Sequence, residues 1–139
     1  MKAISVQNIV EASSGDIAIA VNATADVYSN SFSIKYANAM VLMYKATVTT
    51  GTPDVDVYLE QSSRLPAGTS GGGEGEAGNA TDGWHQVGSK IADITSESWG
   101  SVTLSPVTLP YLRIKLDGQG SNPSTCTVEL RLGLQEEIF

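Results

Sequence analysis

The chain is poor in the residue types that usually carry chemistry. It has one cysteine and one histidine among its 139 residues. A lone Cys126 cannot close an internal disulfide, so oxidative cross-links do not hold this fold. It stands on the apolar side of its segment, with no histidine or lysine beside it to favour the thiolate, and reads as a structural thiol. His85 has no serine, cysteine or second metal ligand at a useful spacing, and reads as a surface or hydrogen-bonded residue. Charge is scarce too. Charged residues make up 17% of the chain, where about a quarter is ordinary. Eight Lys and Arg against fifteen Asp and Glu leave a net charge of −7, which repels a phosphate backbone, so nucleic acid is not an expected ligand. No run approaches the ~18 apolar residues of a membrane span, and MKAISVQNIVEASSG lacks the apolar stretch of a signal peptide. A membrane association is not expected, and the chain is expected to stay in the cytosol or leave by lysis. Asn22-Ala23-Thr24 and Asn79-Ala80-Thr81 match the glycosylation acceptor, which has no meaning without secretion.

What replaces charge is Ser, Thr, Gly, Ala and Val in alternating order, the composition of an all-β domain with short turns. In the stretch from Leu109 to Leu134, Leu112, Ile114 and Leu116 alternate with Tyr111, Arg113 and Lys115. After a turn-rich loop, Cys126, Val128, Leu130, Leu132 and Leu134 alternate with Thr127, Glu129 and Arg131. Period two gives each strand one dry and one wet face. The expected arrangement is a long antiparallel hairpin, Leu116 facing Cys126, Ile114 facing Val128, Leu112 facing Leu130, and Arg113 meeting Glu129 on the solvated side. A second hairpin is expected from Met40–Val48 and Asp54–Gln61, the former apolar on both sides at first, as in a central strand buried on both faces.

Shorter strands are expected at Asp16–Val21, Val27–Tyr36, from Trp84 and from Ser101, where Pro106 and Pro110 limit the last to an edge or stand at strand ends. Ile91–Trp99 reads as a polar connection whose Trp99 plugs one end of the core. Residues 1–15 are either a first strand or an arm reaching a neighbour, 62–83 are a flexible Gly-rich loop, and 135–139 are a C-terminal tail. About eight strands with turn signals roughly every dozen residues give a single antiparallel β-sandwich domain, jelly-roll-like or immunoglobulin-like.

No motif points to catalysis. The Gly-rich loop carries Glu74, Glu76 and Asp82 without a lysine or a following helix, unlike a phosphate loop, and its acids lack the spacing of a calcium loop. The carboxylates show no pairing of the kind glycosidases need. No catalytic residue, cofactor or metal is expected, and the chain is not expected to be an enzyme.

The run Pro110-Tyr111-Leu112-Arg113-Ile114-Lys115-Leu116 followed by Gly118 to Ser124, with Asp54 to Gln61 and Trp84 to Gly88 before it, resembles small β-rich structural proteins encoded in tailed-bacteriophage head gene clusters, over about residues 40–134. It is similar to capsid decoration, or cement, proteins. The resemblance implies a virion protein made in the host cytoplasm. It would sit on the outer capsid surface as a homotrimer, its partner the major capsid protein, and stabilise the head against internal pressure. Candidate contact residues are Ile4, Val6, Ile9 and Val10 in the N-terminal segment and Ile138 and Phe139 in the tail. A head-completion or tail component stays open, as does a carbohydrate-binding sandwich using Trp84, Trp99 and the five tyrosines.

Overall fold

The computed structural model describes residues 2–33, 37–62, 84–104 and 111–137. Among them are eleven strands and no helix. One sheet places β1 (Lys2–Ile9) and β2 (Ala18–Ala20) end to end along one side of β11 (Thr127–Glu137), with β5 (Ala37–Thr47) on the other side of β11 and β9 (Gly100–Thr103) beyond it. The other places β3 (Val27–Tyr28) and β4 (Phe32–Ser33) along one side of β10 (Tyr111–Gly118). On the other side of β10 comes β6 (Val55–Ser62), then β7 (His85–Gln86) and β8 (Ala92–Ile94). Every pairing is antiparallel. The chain is an all-β sandwich.

Counting β1 with β2, β3 with β4 and β7 with β8 as single staves, the order along the chain is 1-8-3-6 in the first sheet and 2-7-4-5 in the second. Nested partners of this kind are two interlocked Greek keys, which resolves the open choice of sandwich in favour of a jelly roll. In that topology every step between consecutive staves crosses the core except the fourth to the fifth.

This overturns both expected hairpins. β10 and β11 lie in opposite sheets, β10 paired with β6 and β11 with β5, so Ile114 is registered on Leu59 and Leu130 on Tyr44. Likewise β5 and β6 are not partners of each other. The expected inward sets are nonetheless buried: Leu112, Ile114 and Leu116 from β10, Val128, Leu130, Leu132 and Leu134 from β11, Val55, Val57 and Leu59 from β6, with Cys126 just before β11. All of them join one core with Leu42, Ala46 and Ile94. Alternation fixes which face of a strand is dry, and that information is the same whether two dry faces lie side by side or oppose each other across a sandwich.

Local chemistry favours the crossings. The link from β10 to β11 is held by buried Asn122, whose Nδ2 donates to the Val21 carbonyl at 3.0 Å and whose Oδ1 accepts from the Asp54 amide at 2.9 Å. Ser121 Oγ donates to Asp54 Oδ2 at 2.7 Å, and the Gln119 amide donates to the Asp54 carbonyl at 2.9 Å. The turn residues expected to close a hairpin instead bind the neighbouring crossing from β5 to β6.

Smaller differences follow. Asp16–Val21 narrows to β2, and β3 and β4 are short pieces separated by Ser29–Ser31. Ala92–Ile94 is strand rather than connection, while β9 is an edge strand as expected. Within the N-terminal segment Lys2–Ile9 form a strand paired along β11, and Gln135–Glu137, expected in a tail, continue β11. The Gly-rich loop beyond Ser62 lies outside the described residues.

Gly118 ends β10 where the chain passes close to Asn22: a Cβ there would stand 2.1 Å from the Asn22 carbonyl oxygen, and backbone cannot retreat cheaply. Gly118→Ala is therefore expected to destabilise the fold by about 1–3 kcal/mol, read as a lower urea midpoint. Gly120→Ala, with no atom within 4 Å of the added carbon, is expected to leave the midpoint nearly unchanged.

Candidate interaction surface

The outward residues of the first sheet are set by register. Ile4 lies beside Gln135 and Ala39, Val6 beside Gly133, Val41 and Thr103, and Asn8 beside Arg131, Met43 and Ser101. Ile4 is 78% exposed, Val6 61% and Val41 36%. On β1 the usual polarity is reversed. Ser5 and Gln7, registered on the buried Leu134 and Leu132, are exposed like their apolar neighbours, so this part of β1 lies beyond the edge of the core. Ile4 and Val6 therefore gain nothing from the core and face solvent beside Val41 and Met43. The expectation that β5 is buried on both faces is corrected here: Met40 and Leu42 are buried, Val41 is not.

Of the other expected contact residues, Ile9 is a core residue at 3% exposure, which removes it from any contact surface. Val10 is half-buried, its carbonyl accepting from the Asn30 amide at 2.8 Å. Ile138 and Phe139 lie outside the described residues.

Two shallow depressions mark the open face. One, of about 250 Å³, is lined by Ile4, Ala39, Val41 and Gly133 among others. The other, of about 410 Å³, is lined by Met43, Trp99, Gly100, Ser101 and Arg131. Trp99 does not plug the core; it is 44% exposed on this face. The Arg131 guanidinium lies 4.5 Å from its ring centroid, and Lys45 Nζ is 6.0 Å away. Glu129 is 3.8 Å from Arg131, both side chains being partly exposed, an ion pair of small worth. Sequence reasoning missed Val41 and Met43, although an apolar run on both sides of a strand was the signal: one side of it had no core to enter.

The outer face of the second sheet is built differently. Arg113 is fully buried, and its Nε donates to Glu60 Oε1 at 2.6 Å; the two residues are directly registered across β10 and β6. The guanidinium lies 4.3 Å from the Tyr28 ring centroid and 4.5 Å from that of Trp84, itself buried. The expected partner Glu129 is on the other sheet, so that pairing is corrected. Burial first, then the nearby Glu60 and Asp26 carboxylates, push the Tyr28 hydroxyl up to about 12 against the opposing pull of Arg113. The phenol stays neutral and serves as a packing surface.

Beyond this group a row of carboxylates crosses the sheet. Asp93 is registered on Asp56, and Asp56 on Asp117; Asp26 follows next to the pair of Val27 and Leu116. Lys90 Nζ reaches Asp56 at 3.3 Å and Asp93 at 3.4 Å, and hydrogen bonding to Asp56 raises its pKa. Ligand atoms of Asp54, Asp56 and Asp93 come within 4.8 Å of one another. Lys90 offsets part of this charge by pairing with Asp56 and Asp93, and Asp54 is engaged by Ser121, so the arrangement reads as an acidic surface with hydrogen bonds of its own. Burial and then the neighbouring Asp117 push the Asp26 carboxyl up, with Lys115 opposing and Glu60 adding a little. Neither depression on the first sheet is lined by a carboxylate. His85 is exposed, its backbone registered on Gln61. Cys126 is buried, which raises its pKa and suits a packing role.

Two measurements test these assignments. Glu60→Gln, which removes the carboxylate paired with the buried Arg113, is expected to cost about 3–5 kcal/mol, whereas Glu129→Gln is expected to cost less than about 0.5 kcal/mol, both read by chemical denaturation. The raised Asp26 pKa means that the folded state holds a proton which the unfolded chain has released, so this group's contribution favours folding at low pH and is lost as pH rises through the folded value. Asp26→Asn is therefore expected to melt higher than the parent near pH 7, the gap closing toward about pH 3.

No protein-family model matches the chain, and no curated protein matches it in sequence. Solved structures give remote likenesses. One is to a chain of the empty head of turnip yellow mosaic virus, at 13% identity and a TM-score of 0.41, spanning 99% of this chain and 80% of that one. Another is to a carbohydrate-binding module, CBM36, in complex with calcium and xylotriose, at 13% identity and 0.37, spanning 98% and 99%. A third is to a xylan-binding domain from Paenibacillus barcinonensis, at 12% identity and 0.37, spanning 99% and 87%.

Proposed function

We propose that this chain is a structural protein of a tailed-phage head that acts by adhesion, docking on the outer surface of the capsid as a decoration protein and reinforcing it. The observation that carries the reading is the apolar face opened to solvent by Ile4, Val6 and Val41. Contiguous exposed apolar surface has no role in an isolated soluble domain and marks a contact site. The same strand, β1, is paired along β11 alone and leaves its other edge free among the described residues, where main-chain groups can bind an extended neighbour. The resemblance of the segments around Tyr111–Leu116 and Asp54–Gln61 to head proteins supplies the class. The major capsid protein is then the partner, with copies of the chain gathered around a three-fold axis. A net charge of −7 keeps such a protein from competing for packaged DNA. Catalysis has no part in this reading.

A second reading has one observation in its favour: Trp99, exposed beside the larger depression, offers a ring on which a sugar could stack. Against it, the Arg131 guanidinium already lies 4.5 Å from that ring. Binding on a glycan array that Trp99→Ala abolishes would favour it.

The test is co-sedimentation of the purified chain with expanded heads prepared without it, alongside mass determination in solution. Saturable binding and greater resistance of the heads to heat are expected. The double substitution Ile4→Thr and Val6→Thr keeps β propensity but removes two apolar contacts, each worth about 1.5 kcal/mol or more when buried, so affinity for heads should fall at least about tenfold with little change in the melting temperature. A monomer that ignores such heads would overturn the reading.

A further inference from the structure

We propose that the open face of the first sheet receives an extended acidic segment of the capsid partner, with a carboxylate at Arg131 and Lys45 and an aliphatic side chain two residues along it over Gly133. The inference rests on the adhesion reading and names the chemistry of the partner at that surface. Charge is the first argument. The described outward side chains here include Lys45 and Arg131 against Glu129, a positive balance within a chain of net charge −7. The opposite face carries Asp26, Asp56, Asp93 and Asp117 against Lys90 and Lys115. An acidic partner is drawn to the first face and repelled by the second.

Spacing is the second argument. Arg131 and Gly133 are two residues apart on β11 and are registered on Met43 and Val41 of β5. Arg131 lines one depression and Gly133 the other, and these two residues stand about 7 Å apart on their strand, the interval between alternate side chains of an extended chain. Each end is shaped for its occupant. At one, the guanidinium lies 4.5 Å from the Trp99 ring centroid while the Arg131 side chain remains 46% exposed and only loosely paired with Glu129 at 3.8 Å, so that it can take a further carboxylate. At the other, Gly133 leaves a floor between Val6 and Val41. A Cβ there would make only ordinary contacts, 3.7 Å to the Val41 carbonyl oxygen and 3.9 Å to Met43 Cε, so the space above it is open to a side chain from outside.

The experiment titrates the isotope-labelled full chain, followed by NMR, with two heptapeptides of threonine, one carrying glutamate and then leucine two positions later, the other lysine in place of the glutamate. The acidic peptide is expected to move the signals of Val41, Met43, Trp99, Arg131 and Gly133 at about millimolar concentration. Its affinity should fall at least about fivefold in roughly 0.5 M salt. Arg131→Gln should weaken it comparably, and Gly133→Val should do so without lowering the melting temperature. The lysine peptide should leave the spectrum unchanged. Absence of shifts with the acidic peptide, equal shifts with both, or movement of these signals on dilution of the chain alone, which would assign the face to a second copy, each overturns the inference. Heads that bind the chain while the peptide does not would refute this chemistry and leave the adhesion reading standing; the converse would refute the head and leave the surface.

Discussion

Asn122 gathers three separate passages of the chain at one end of the sandwich, and the topology depends on that gathering. Its side chain binds the Val21 carbonyl, at the end of the first stave, and the Asp54 amide, at the start of the fourth, while its own backbone lies between the seventh and the eighth. A jelly roll places consecutive staves in opposite sheets, so its crossings bury polar backbone that no ladder satisfies. A buried amide side chain, with a donor and an acceptor on one planar group, meets that demand at two crossings together. The close approach of Gly118 to Asn22 belongs to the same knot, because only a residue without a side chain lets β10 end against that backbone.

Given this closure, burial follows strand by strand. The inward residues of β6, β10 and β11 were legible from period two alone, and they lie in the core. The partners were not legible, for a physical reason: Ile114 has the same alternation whether it neighbours Val128 in a ladder or faces it across the core. The turn residues misled for a related reason. Ser121, Asn122 and Pro123 do reverse the chain, but Asn122 spends its hydrogen bonds on other loops, and no local signal distinguishes that from a hairpin turn.

Arg113 and Val41 are the instructive failures. Placing Arg113 on a wet face was correct as to side, since it points away from the core shared by the two sheets, yet it is fully buried between Tyr28 and Trp84 and paired with Glu60. Alternation assigns a side and says nothing of what covers it. Val41 fails in the opposite sense: hydrophobicity on both sides of β5 implied cover on both sides, and the outer one is open. Both errors arise because a sheet has an outside whose environment is decided by elements distant in sequence.

Between them these residues account for the asymmetry of the molecule. On the second sheet the outer surface turns inward on itself, with a cation held between rings and a row of four carboxylates partly offset by Lys90 and Lys115. On the first sheet, among the described residues, apolar side chains are exposed and a guanidinium beside Trp99 is offset by one weakly placed carboxylate. Buried polar groups cost several kcal/mol when left unmatched, whereas exposed apolar groups cost the isolated chain little and release free energy only on contact. The two outer faces thus differ in kind: the apolar side chains of the first remain in contact with solvent, and the charged and aromatic groups of the second are packed against one another.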